Sequence, residues 1–173
     1  LGSGTAGYED YASATANGGR GWRPIGDYAN YSSINVFTGT FDGLGHIVSG
    51  LTINLPEAGF VGLFGVVKDG TVRNIGLARA SVIGDYNVGG LVGWNRGTLD
   101  SVYATGSVKG GDSNVGGLVG QNDGTITNSY ARGSVEGHKK VGGLVGYQQA
   151  GTISNAYATG GVNGSSNVVG GLV

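Results

Sequence analysis

The sequence predicts an all-β chain wound as a right-handed parallel β-helix, a β-solenoid of about 27 residues and about three short strands per coil. Three observations lead there. The hexapeptide Val-Gly-Gly-Leu-Val-Gly recurs at Val88 to Gly93, Val115 to Gly120 and Val141 to Gly146, and a shortened copy ends the sequence at Val169 to Val173. Positions between the copies form columns: Val72, Leu99, Ile126 and Ile153; Thr71, Thr98, Thr125 and Thr152; Val82, Val108, Val135 and Val162. Columns of this kind arise when each coil lies on the one before it, so that equivalent side chains sit one strand spacing, roughly 4.8 Å, apart. Finally, 39 of the 173 residues are Gly, several in every unit. An interior Gly costs a helix ~1 kcal/mol relative to Ala, which excludes helical hairpins. A propeller blade needs ~40 to 50 residues, too many for this period.

Taken in order, Leu1 to Gly21 has no clear period and reads as an irregular N-terminal or capping segment. Residues 22–59 read as divergent first coils, with β-rich runs around Val36 to Phe41 and His46 to Ile53 bounded by Gly and Asp. Terminal repeats of a stacked array are commonly atypical. Residues 60–173 are the regular repeats. Aligning Phe60-Val61-Gly62-Leu63-Phe64-Gly65 with Val88 to Gly93 gives successive spacings of 28, 27, 26 and 28 residues. Leu63, Leu91, Leu118 and Leu144 are expected to line the interior. The glycines are expected to supply positive φ at the corners and to let backbones approach closely. Asn74, Asn128 and Asn155 form a further column, broken by Ser101, and Tyr103, Tyr130 and Tyr157 another. The whole reads as a single solenoid domain, and an ending inside a repeat, at Leu172-Val173, is what a fragment of a longer protein would show.

The text of one unit, Val115 to Gly133, reads Val-Gly-Gly-Leu-Val-Gly-Gln-Asn-Asp-Gly-Thr-Ile-Thr-Asn-Ser-Tyr-Ala-Arg-Gly. It resembles the GLUG-motif repeat of bacterial surface proteins. Trp22-Arg23-Pro24-Ile25-Gly26 and Phe41-Asp42-Gly43-Leu44-Gly45-His46 are similar to the segment that often precedes such repeats, with Leu44 where the family more usually has Asn. The resemblance spans roughly Trp22 to Val173. Repeats of this type occur in filamentous-haemagglutinin-like adhesins and beside immunoglobulin A peptidase domains. The resemblance therefore implies a secreted or cell-surface β-solenoid, and it does not imply catalysis by the repeat.

Composition narrows the function classes. Ten basic against 11 acidic residues, with no basic run beyond Lys139-Lys140, give no surface for tracking phosphates, so nucleic acid is not an expected partner. Without Cys there are no disulfides or thiolate metal sites. No apolar run approaches the ~20 residues of a membrane-spanning helix, so this segment is not expected to insert in a bilayer. His46 and His138 lie in different coils with no zinc-protease spacing, and no Gly-x-Ser-x-Gly elbow occurs. Gly110-Gly111-Asp112-Ser113-Asn114 departs from the calcium-binding nonapeptide. Neither a cofactor nor a metal is expected.

Four residues outside the repeated hexapeptide are candidates for ligand contact. Trp94 and Tyr147 occupy the same place after the hexapeptide, with Gln121 between them, and exposed aromatics there can stack on sugars. Packing against a loop is the plainer reading. Asp112 and His138 fall in inter-strand loops, where turn formation and solvation explain them more simply. The expected function is a non-catalytic stalk and display scaffold of an extracellular or bacterial cell-surface protein, attaching to a host glycan or matrix protein. Three other readings stay open: an accessory region of an immunoglobulin A-type peptidase, a polysaccharide-cleaving β-helix, and a subunit that stacks end to end on copies of itself.

Overall fold

The computed structural model describes residues 15–26, 35–166 and 168–173. The first 14 residues of the expected capping segment lie outside the described residues.

The strands stack as a β-solenoid of about five turns with ~27 residues per turn. The first sheet holds β1 (Thr40–Asp42), β4 (Phe64–Arg73), β7 (Val92–Asp100), β10 (Val119–Asn122) with β11 (Thr125–Thr127), and β14 (Val145–Gln148) with β15 (Thr152–Ser154). A second sheet holds β2 (Ile47–Ser49) with β3 (Thr52–Asn54), β5 (Gly76–Gly84), β8 (Tyr103–Gly110), β12 (Tyr130–Gly137), and β16 (Tyr157–Thr159) with β17 (Val162–Gly164). The third is β6 (Val88–Gly89), β9 (Ser113–Gly116), β13 (Lys139–Gly142) and β18 (Val169–Gly170). Each coil from β4 onward visits all three sheets, the first coil meets the third only through the Val61–Val88 bridge, and every named pair is parallel. The predicted columns are rungs of these ladders: Thr125 pairs with Thr98 and Thr152, Ile126 with Leu99 and Ile153, and Val135 with Val108 and Val162.

Each coil from β4 onward sends inward both the Leu that precedes its first-sheet strand and the residue that opens that strand. Leu91, Leu118, Leu144, Val92, Val119 and Val145 have no exposed surface, and Leu63 keeps only 5%. Complete burial of such a side chain contributes roughly 1.5–3 kcal/mol, repeated at each coil. Toward the N-terminal end, Phe37 and Phe41 pack on Phe64 at centroid distances of 5.1 and 5.5 Å. There Trp22 donates its indole N–H to the Leu63 carbonyl, and Gly21 pairs antiparallel with Ile53.

Two expectations are corrected. Phe60 does not align with Val88; Val61 pairs with Val88 and Phe64 with Val92, so the first unit is one residue shorter between those rungs. Phe60 takes the corner position of Asn87 instead, at φ 58° against 50°. The hexapeptide glycines do not supply positive φ, whereas Gly106, Gly133, Gly151 and Gly160 in the same units do. Corners are turned by left-handed Asn74, Ser101, Asn128 and Asn155 at one edge, and by Phe60, Asn87, Asn114, Lys140 and Val168 at another. Asn enters that region at low cost because its short amide bonds locally. The hexapeptide glycines are needed for the second expected reason. A Cβ on Gly89 would lie 2.2 Å from the Val92 carbonyl oxygen, and one on Gly90 2.5 Å from that of Gly117.

Candidate functional site

Strand pairing places Gln121 between Trp94 and Tyr147 in one outward column of the first sheet, with Val66 beside Trp94 on the preceding coil. Both aromatic rings are half-buried and already engaged. Trp94 donates its indole N–H to Asp123 Oδ2 at 3.1 Å, and the Arg96 guanidinium lies 4.9 Å from its ring centroid. Phe60 leans on the same indole at 5.8 Å. Lys140 holds its ammonium 3.5 Å above the Tyr147 ring. A sugar stacking on either cation-covered face would have to displace a contact worth about 0.5–1 kcal/mol at an exposed site.

Asp112 and His138 meet at the corner between the second and third sheets, on adjacent coils. The Asp112 carbonyl accepts the backbone N–H groups of His138 and Lys139 at 3.2 and 3.0 Å. Its carboxylate takes the Ser113 hydroxyl at 3.3 Å and faces the Lys139 ammonium at 3.9 Å. His138 Nδ1 lies 2.9 Å from Ser165 Oγ, one coil further on. That Ser–His contact is exposed, whereas a nucleophile–base pair requires a third group to orient the base. Here the neighbouring carboxylate is spent on Ser113 and Lys139. Among the described residues no three His, Asp or Glu side chains gather into a metal-holding group.

Acidic residues serve the corner of the first sheet. Asp42 accepts from Asn74 Nδ2 at 3.0 Å, the Leu44 N–H at 2.9 Å and Arg73 Nε at 2.9 Å. Asp100 accepts from Thr127 Oγ1 and Asn128 Nδ2, both at 2.8 Å. The Asn74 amide, the Leu44 N–H and Arg73 hold Asp42 below the ordinary carboxyl value of 3.8, and the Thr127 hydroxyl and the Asn128 amide do so for Asp100. A depressed folded pKa stabilises above the unfolded value and loses that contribution as pH falls through the folded value. The melting temperature is therefore expected to hold from pH 7 to 5 and to drop below about pH 4. Asp100→Asn should lower it at neutral pH and remove part of the acid drop, which a series of thermal melts between pH 7 and 2.5 would measure.

Two ladders carry more order than the sequence reading assigned to them. Asn95 and Asn122, each without exposed surface, form an internal amide ladder with Gln148: Asn95 Nδ2 donates to Asn122 Oδ1 at 2.7 Å, and Asn122 Nδ2 to Gln148 Oε1 at 2.9 Å. The signal was the amide residue two places after the hexapeptide. Tyr103, Tyr130 and Tyr157 stack at 4.9 and 5.1 Å with interplanar angles of 3° and 7°. Gly76 makes room for the first ring, since a Cβ there would lie 2.1 Å from Tyr103 Cζ. Burial, and then Tyr130 beside it, pushes the Tyr103 phenol above its ordinary value. Arg132 bridges the stack, 4.9 Å from the Tyr130 centroid and 2.7 Å from the Tyr157 hydroxyl.

Comparison with known proteins gives the repeat a family. The family model of the GLUG motif matches residues 84–109, 111–136 and 137–163. Halomucin of Haloquadratum walsbyi is 40% identical over 95 residues, covering 54% of this chain and 1% of halomucin. A protein of Evansella cellulosilytica, named as a Gly-rich membrane protein, is 41% identical over 94 residues, 49% of this chain and 10% of its own length. The chain thus spans a small part of either relative. A crystal structure of a Bacteroides ovatus protein described as an immunoglobulin A1 protease superposes with a TM-score of 0.53 at 22% identity. It covers 75% of this chain and 55% of its own, and it shares the fold. The period, the buried hexapeptide and the left-handed Asn corners are the structural content of that match, and residues 84–109, 111–136 and 137–163 are GLUG-motif repeats.

Proposed function

We propose that this chain is a non-catalytic segment of a cell-surface or secreted protein, a rigid stalk and display scaffold whose outer faces serve attachment. The observation that carries the reading is the unbroken parallel ladder in the first sheet, from β1 through β4, β7 and β10 to β14, over a core of fully buried Leu and Val. Stability in such an array grows by nearest-neighbour contacts, so length is gained without a new fold and outer loops vary freely. The names of the two relatives, a halomucin and a Gly-rich membrane protein, support the location. The non-catalytic part is supported by where the acidic groups are spent: Asp42, Asp100, Asp112 and Asp123 all hold corners or neighbouring side chains. A second reading, an accessory region of a large immunoglobulin A-type peptidase, is favoured by the Bacteroides ovatus neighbour.

The test has two readouts. Small-angle scattering should fit a rigid rod whose length rises linearly when the three repeats are duplicated. Incubation with pectin, glycosaminoglycans and alginate should release no new reducing ends or unsaturated uronates. Sustained turnover would replace the scaffold reading with a polysaccharide-cleaving one.

A further inference from the structure

The outer face of the second sheet carries an open trough of about 440 Å³ running across the coils. One side is a column of serine hydroxyls, Ser81, Ser107 and Ser134, brought into register by strand pairing. Along the other side lie Ile83, Lys109, Glu136 and Asn163, also in register. Ser107, Ser134, Lys109, Glu136 and Asn163 are exposed, and the three serine hydroxyls have no hydrogen-bond partner among the described residues. Lys109 Nζ and Glu136 Oε1 are paired at 2.9 Å, so the two formal charges on that side cancel.

We infer that this trough binds a neutral, hydroxyl-rich polysaccharide laid along the solenoid axis with about one sugar ring per coil. The inference rests on the scaffold reading for its setting and gives the attachment face a location and a ligand class. Period is the first argument. The serine side offers the same hydroxyl on three successive coils, one strand spacing of roughly 4.8 Å apart, which is close to the length of one ring in an extended sugar chain. An extended peptide advances ~3.3 Å per residue and presents like side chains every second residue, so it falls out of step. Strand addition is also excluded here, because the backbone of β8 is paired on both sides, with β5 and β12.

Chemistry is the second argument. Each serine hydroxyl donates one hydrogen bond and accepts others, as do the hydroxyls of a sugar, and Asn163 adds both a donor and an acceptor. Nucleic acid would need cations free to meet its phosphates, and Lys109 is held by Glu136. Salt should therefore have little effect on binding. Each contact is weak, so affinity must come from several coils reading several rings at once.

The experiment is a titration of the whole chain with cello-, manno- and xylo-oligosaccharides of two to six rings, followed by calorimetry. Affinity should climb at least fivefold between two rings and four, level off thereafter, and change less than twofold between 50 and 300 mM salt. The double substitution Ser107→Ala with Ser134→Ala should weaken binding at least fivefold without shifting the melting temperature. Thr125→Ala, on the first sheet, should leave it unchanged. No binding to any of the three series would overturn the inference, as would full binding by the folded double variant or affinity that collapses with salt. None of these outcomes alters the scattering profile, so the scaffold reading stands or falls separately.

Discussion

Gly116→Ala is expected to cost about 4 kcal/mol or more, the range reserved for gross steric conflict in a core. One added methyl has that effect because of what surrounds it. A Cβ on Gly116 would lie 2.1 Å from the Val119 carbonyl oxygen, 2.6 Å from the Gly146 nitrogen and 2.9 Å from the Leu144 carbonyl oxygen. All three are backbone atoms, and two belong to the next coil, so no side chain can swing aside to relieve the clash. Separating the coils instead would break the Leu118 N–H to Leu144 carbonyl bond of 2.9 Å and expose Leu144. The damage falls in the middle of a one-dimensional array, and the coils on its C-terminal side become too few to bury their own apolar faces. Gly161→Ala is the control. Nothing lies within 4 Å of a Cβ at Gly161, and its φ is outside the left-handed range. It should move stability by no more than about 0.5 kcal/mol. Urea unfolding followed by far-ultraviolet circular dichroism distinguishes the two, and an unchanged midpoint for Gly116→Ala would mean the coils do not pack as closely as described.

The contrast between these glycines marks what a linear sequence conveys. Leu91, Leu118 and Leu144 could be placed inside from the text alone, because burial in a solenoid repeats with the coil and leaves a column of like residues. The Asn74, Asn128 and Asn155 column was visible for the same reason, although the text could not say that these residues turn the chain with φ near 50°. Phe60 was misaligned because Phe-Val-Gly-Leu-Phe-Gly matches the hexapeptide by character. Its rung is set by hydrogen bonds to a coil one residue out of step, namely the Phe60 N–H to the Tyr86 carbonyl and the Val61 N–H to that of Asn87. Trp94 and Tyr147 were correctly put in one column, but the cations over their rings come from Arg96, two residues along the same strand, and from Lys140, a corner residue of another sheet. The meaning of the serine column is not legible in the text, because it depends on which face Ser107 turns outward and on the Lys109–Glu136 pair beside it. Contacts between coils follow from register, and register is fixed by the whole stack.

Asn122→Asp is expected to lose about 3 kcal/mol at pH 7 and noticeably less at pH 4. The side chain is fully buried, and every polar atom on it is used. Its oxygen accepts from Asn95 Nδ2 at 2.7 Å, and its nitrogen donates to the Gly124 carbonyl at 3.1 Å and to Gln148 Oε1 at 2.9 Å. A carboxylate keeps the first bond and forfeits both of the others, each worth about 1 kcal/mol net. It also places a charge against two acceptor oxygens at a site closed to bulk solvent, where the penalty for an unpaired group is greatest. Burial and those acceptors should raise the new carboxyl's folded pKa above its unfolded value of roughly 4. A raised acid pKa destabilises the fold above the unfolded pKa, and the loss recedes as pH falls and the proton is taken up. The sign is therefore opposite to that for Asp42 and Asp100, whose contribution is lost on acidification. Comparing urea midpoints of the variant and the parent at pH 7, 5 and 4 removes the background shared by both. A gap that narrows toward pH 4 places Asn122 inside a dry amide ladder, and a gap independent of pH would mean that water reaches it.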